Sequence, residues 1–177
     1  EHGDLDAANV SYKKALKIKP SFPAVYLNMG LGLQQQGDFE AALASYKKAI
    51  EIDPENAEAY FNMGLTLQDQ GDLEAALASY KKAIEIDPNY AAAHYNMGNV
   101  QKEHGDMEAA NVCYKKALKA KPNFPEAYLN MGVGLGRQGD LEAALASYKK
   151  AIEIDPEYAD AYLNMGMAQL GMKDFKN

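Results

Sequence analysis

Every 34 residues this chain returns to the same place. Gly-Asp pairs stand at Gly3-Asp4, Gly37-Asp38, Gly71-Asp72, Gly105-Asp106 and Gly139-Asp140. Prolines keep the same step at Pro20, Pro54, Pro88, Pro122 and Pro156, and no insertion disturbs the frame. Such a chain is a row of like units, each burying its apolar face on its neighbours.

Each unit divides into two helical stretches. Ala57 to Gln70 has apolar residues at helical spacing and no proline. Gly71-Asp72 makes a turn, and a second helix follows from Leu73. That helix ends near Asp87, because Pro88 disfavours helix in the residue before it. Helices of roughly 14 residues are marginal alone, so stacking must hold them. The frame predicts a single array over 1–177: a leading second helix in 1–22 (about 4–19), complete units at 23–56, 57–90, 91–124 and 125–158, and a trailing first helix from 159. Residues 1–23 return at 103–125 with five changes, a three-unit cassette. The ends carry no polar cap, which predicts a slice of a longer array and head-to-tail self-association.

The residues in frame resemble the tetratricopeptide (TPR) signature: Tyr26-x2-Met29-Gly30-x2-Leu33, Ala42-x3-Tyr46, then Ala49 and Pro54. The resemblance covers essentially the whole chain. It implies an all-α fold, an alpha-alpha superhelix of helix-turn-helix repeats whose first helices line a concave face. It also implies a scaffold that holds other polypeptides.

The site expected on that face is a row of asparagines before each Met-Gly: Asn28, Asn62, Asn96, Asn130 and Asn164. Asparagine costs helix stability relative to alanine, so five in register ask for a reason. A carboxamide has one acceptor and two donors and can bond both backbone groups of an extended peptide. Packed helices lie roughly 8–10 Å apart and three extended residues span about 10 Å, so one asparagine addresses about every third residue. The row is similar to the asparagine ladder of O-linked N-acetylglucosamine transferases. The opposing reading is that the asparagines bond one another or nearby backbone and only space the helices. Beside the ladder, Leu27, Phe61, Tyr95, Leu129 and Leu163, with Leu31, Leu65, Asn99, Val133 and Met167 one turn on, form either an apolar floor or packing between units. The family's carboxylate clamp needs Lys and Arg at such sites, and only Asn99 is polar, which argues against a chaperone-tail adaptor.

Other chemistry finds little support. The formal charge of -7 lacks the basic footprint of a nucleic-acid binder. No apolar run is long enough to span a bilayer. The lone Cys113 takes a serine's place in the other units and permits no internal disulfide, which fits a reducing, cytoplasmic setting. No phosphate loop, metal-spaced cluster or catalytic triad is present, so neither cofactor nor enzymatic activity is expected. His94 reads as a packed histidine, and His2 and His104 as solvent-facing. The Tyr-Lys-Lys stretches read as a solvated face, with a basic patch where Lys17 and Lys19, or Lys119 and Lys121, close a unit. Asn9 and Asn111 stand where other units have Leu43, Leu77 and Leu145, and nothing in the sequence accounts for them. Three functions fit: a peptide-binding scaffold, a substrate-presenting segment of a larger glycosyltransferase-like enzyme, or a structural spacer.

Overall fold

The computed structural model describes residues 2–174, with side chains described over 7–171. Among these residues the secondary structure is entirely helical: α1 (His2–Ile18), α2 (Pro23–Gln35), α3 (Phe39–Ile52), α4 (Ala57–Asp69), α5 (Leu73–Ile86), α6 (Ala91–Glu103), α7 (Met107–Ala120), α8 (Pro125–Arg137), α9 (Leu141–Ile154) and α10 (Ala159–Asp174). The helices fall into two compact units, Glu1–Pro88 and Asn89–Asn177. The side chains of His2 and Asp4 lie outside the described residues.

The turns follow from two residue types. Gly37, Gly71, Gly105 and Gly139 carry φ between 78° and 85°, a left-handed conformation that glycine adopts without a Cβ penalty. The aspartate after each glycine caps the next helix. Asp38, Asp72, Asp106 and Asp140 accept the N–H of Ala41, Ala75, Ala109 and Ala143 at 2.9–3.2 Å. Gly3-Asp4, by contrast, lies inside α1. α1 thus starts at His2 instead of near residue 4. Asn56 caps α4, while Pro23 and Pro125 open α2 and α8 at the position where a missing N–H costs nothing.

The core repeats with the frame. In the first unit Leu27, Ala42, Tyr46, Ala49 and Ala59 form one buried cluster. In the second, Leu129, Ala144, Tyr148, Ala151, Ala161 and Ala168 form another. Each second-helix tyrosine lays its ring across the Asn-Met-Gly glycine of the same hairpin. A Cβ on Gly64 would lie 2.6 Å from the Tyr80 ring, and one on Gly98 2.6 Å from that of Tyr114. The glycine therefore makes room for a tyrosine ring. The alanines Ala42, Ala76, Ala110 and Ala144 are fully buried between the helices.

Candidate peptide-binding surface

The first helices are neighbours within each unit. In unit 1, Gln34 on α2 donates to Asp69 on α4 at 3.2 Å. In unit 2, hydrogen bonds join α6 to α8, and α8 lies beside α10. The asparagines sit on these first helices, Asn28 and Asn62 in the first unit and Asn96, Asn130 and Asn164 in the second, in three different states.

Asn28 is exposed and Asn62 is only 6% exposed. Among the described residues neither carboxamide has a hydrogen-bond partner. Asn96 and Asn164 each donate one N–H to the carbonyl four residues back, Ala92 at 3.0 Å and Asp160 at 2.8 Å. Asn130 is committed to its neighbours. It donates to the Tyr95 hydroxyl at 3.0 Å and to Asn99 Oδ1 at 3.1 Å, and accepts from Lys102 Nζ at 3.4 Å. Asn99 Oδ1 also accepts from the Tyr114 hydroxyl at 2.9 Å. One polar network thus ties α6, α7 and α8 together, a knot that Asn99 makes possible where the other units have Leu31, Leu65, Val133 and Met167.

The apolar neighbours of the ladder are packed. Leu27 and Leu129 are 8% exposed and belong to the two core clusters. Phe61 lies 5.9 Å from Tyr80, and Tyr95 lies 5.8 Å from Tyr114 and 4.7 Å from Phe124, between ring centroids. Leu31, Leu65 and Val133 are half-buried, whereas Leu163 and Met167 are exposed. Tyr95 is held protonated above its ordinary value, first by burial and then by the nearby Glu126 charge, against the opposing hydrogen bonds to Asn99 and Asn130. Burial followed by the Glu126 charge pushes Tyr158 up to about 12.

A second pattern concerns the hydroxyls of the buried tyrosines. Tyr46 donates to Gln34 at 3.0 Å, and Tyr80 to Gln68 at 2.8 Å. In the next frame the glutamine becomes Lys102, and Tyr114 turns to Asn99 instead. In the last it becomes Gly136. A cleft of about 340 Å³ opens there, bounded by Gly136, Arg137, Leu141, Tyr148, Asn164 and Met167.

The structure also accounts for Asn111. Its carboxamide is buried against Gly134 of α8, where a Cβ would come within 2.9 Å of Nδ2 and closer still to Oδ1. Nδ2 donates to Gln138 at 3.4 Å, while Oδ1 has no partner. The sequence carries the matching signal. Asn9 and Asn111 are each followed 23 residues later by glycine, Gly32 and Gly134, whereas Leu43, Leu77 and Leu145 are followed by Thr66, Val100 and Ala168. The larger side chain at one position goes with no side chain at the other.

The remaining candidates are plain. His94 is buried and His104 exposed. Cys113 is 4% exposed, and burial raises its thiol pKa, the reverse of an activated nucleophile. Lys48, Lys82 and Lys150 pair with Glu51, Glu85 and Glu153 along their own exposed helices. Lys19 and Lys121 lie over the rings of Phe22 and Phe124 at 4.7 Å, so part of each basic patch stacks on its own chain. Among the described residues no helix is long and apolar enough to cross a membrane, and no His, Cys, Asp or Glu cluster is placed to hold a metal.

Paired helices, glycine turns and a row of first helices define a tandem helical-hairpin scaffold. The chain belongs to the tetratricopeptide repeat family: the TPR repeat model matches residues 1–36, 33–71, 67–105, 102–139 and 135–172. It is similar to MamA, with 32% identity over 89% of this chain and 92% of that one at a TM-score of 0.79. It also resembles YrrB, described as a TPR protein with an unusual peptide-binding site, with 26% identity over 92% and 84% at 0.78. PilF of Pseudomonas aeruginosa, at 23% identity over 99% and 80%, shares the fold at 0.87. No match is found among curated proteins. TPR proteins are protein–protein interaction scaffolds, and this chain is an all-α member of that class.

Proposed function

We propose that the chain binds extended polypeptide segments along its first helices, reading the peptide backbone with ladder asparagines. One observation carries this. Asn62 is almost enclosed, yet its carboxamide has no partner in the protein among the described residues. Its two donors and one acceptor therefore stay open to a ligand. Asn28 presents a second carboxamide on the neighbouring helix, and Asn96 and Asn164 each keep one N–H for a ligand. The peptide-binding site in YrrB's description supports the reading.

Asn130 takes the other role. Bound to Tyr95, Asn99 and Lys102, it spaces α6 from α8. The working ladder is therefore Asn28 and Asn62 in the first unit, and Asn96 and Asn164 in the second, interrupted there at Asn130. A backbone-reading groove is tolerant of sequence, so partner choice falls to pockets beside it.

Titration of the 177-residue chain with blocked, unstructured alanine-rich peptides tests this. Asn62→Ala should weaken binding about tenfold, and Asn130→Ala should disturb stability more than affinity. Equal affinity in Asn62→Ala and the parent chain would remove the ladder from the account.

A further inference from the structure

The cleft beside Gly136 exists because one side chain is missing. In unit 1 the same position holds Gln34 and Gln68, whose aliphatic stems cover the tyrosine and whose Oε1 accepts its hydroxyl proton. In the last hairpin the stem and the acceptor are both gone. Tyr148 is 3% exposed, its ring covers Gly132, and among the described residues its hydroxyl donates to nothing. A Cβ at Gly136 would sit 3.8 Å from that hydroxyl and 3.8 Å from Ala144 Cβ, so the vacancy is real space and not a close approach of backbone.

Unit 1 therefore shows what fits such a hole: a two-methylene stem ending in an sp2 oxygen. The cleft adds a charge that unit 1 lacks. Arg137, the chain's only arginine, lies at its rim with no ion pair among the described residues. Asn164 stands on the same wall, one N–H held by Asp160 and the other available. Leu141 and Met167 line the sides that a methylene stem would touch. We infer that this cleft is a specificity pocket for a glutamate side chain of a bound polypeptide. The Tyr148 hydroxyl and Asn164 amide donate to the carboxylate, and the Arg137 guanidinium selects it over the neutral carboxamide. A guanidinium suits this task because its fork of donors matches carboxylate geometry. This assignment rests on the peptide-binding reading above for the backbone that delivers the side chain.

The test uses blocked nonapeptides with glutamate, glutamine or alanine at the centre, flanked by alanines, titrated into the 177-residue chain. Nuclear magnetic resonance follows the Tyr148 ring, the Arg137 side chain and the Asn96 carboxamide, all in the second unit. The glutamate peptide should bind about tenfold tighter than the alanine peptide and shift all three signals. Gly136→Gln should fill the pocket from within and erase that preference while thermal unfolding shows the fold intact. Arg137→Gln should reduce the glutamate-over-glutamine ratio about fivefold. Peptides that shift Asn96 without glutamate preference would overturn the pocket and leave the ladder standing. Glutamate-dependent shifts at Tyr148 and Arg137 with a silent Asn96 would do the reverse. Silence at all three overturns both.

Discussion

α1 and α7 differ little in sequence and greatly in burial. Residues 1–23 and 103–125 share all but five positions. Yet α7 buries Ala110, Asn111, Cys113, Tyr114, Ala117 and Leu118, while no described residue of α1 is buried. The cause lies outside the helix. α7 folds back on α6, which offers Gly98 for the Tyr114 ring and Asn99 for its hydroxyl. Among the described residues α1 has no first helix before it. A second helix of this family therefore carries an apolar face whose worth is set by the partner hairpin, as expected of units that cannot bury their own cores.

The largest effect that could break this comparison is at the tyrosines. Tyr114→Ala should cost about 3–5 kcal/mol, since it empties a closed space between two helices. Tyr12→Ala, at the cassette-equivalent but half-buried site, should cost under about 1 kcal/mol. Denaturant unfolding of both variants decides it. Equal losses would mean that α1 has a partner unlike any seen here.

Next comes a pair of opposite signs on a single helix. Gly134→Ala drives a methyl into the buried Asn111 carboxamide and should destabilise by about 1–3 kcal/mol. Gly136→Ala meets only ordinary contacts and should stabilise by about 0.5–1 kcal/mol through helix propensity. In an Asn111→Ala background the first substitution should lose its penalty. A penalty that persists would show that Asn111 is not what Gly134 accommodates.

These positions also mark how far the sequence could be read. The 34-residue frame fixes turns and helix pairs because glycine, aspartate and proline act locally, and those elements stand within a few residues of expectation. Side-chain partnerships across helices are another matter. Asn130 obeys the ladder pattern perfectly and is nevertheless committed to Tyr95, Asn99 and Lys102, because two departures from the repeat, Asn99 and Lys102, fall beside it. The covering of Asn111 by Gly134 was visible only as a correlation at a spacing of 23, between helices whose contact the frame does not announce. The cleft at Gly136 lay one step further: it needs the knowledge that Gln34 and Gln68 serve Tyr46 and Tyr80.

A smaller, pH-dependent effect follows from the same buried tyrosines. Burial pushes Tyr46 from 10.0 up to about 12, and raises Tyr114 and Tyr148 as well. The folded state holds the neutral phenol, so the unfolded chain loses its proton first. Stability is thus complete below pH 10 and declines as pH rises from 10 towards 12. Circular dichroism should show helix loss in that window, with the Tyr46, Tyr114 and Tyr148 ring resonances shifting together with it. Ionisation of these three rings near pH 10 with the helices intact would place their hydroxyls in contact with water.

The smallest effect concerns the outward faces, and it isolates what the comparison is about. Val10 is 54% exposed and Val112 is 49% exposed, so here α1 and α7 agree. Neither side chain has a closed space to leave behind. Valine also loses rotamer freedom in a helix, so alanine is the better helix former at both sites. Val10→Ala and Val112→Ala should therefore each stabilise by about 0.5 kcal/mol, indistinguishably, in the same denaturant experiment that separates Tyr12 from Tyr114. A loss above about 1 kcal/mol at Val112 alone would mean that α7 is gripped on both faces, and the contrast with α1 would no longer reduce to the packing of α7 on α6.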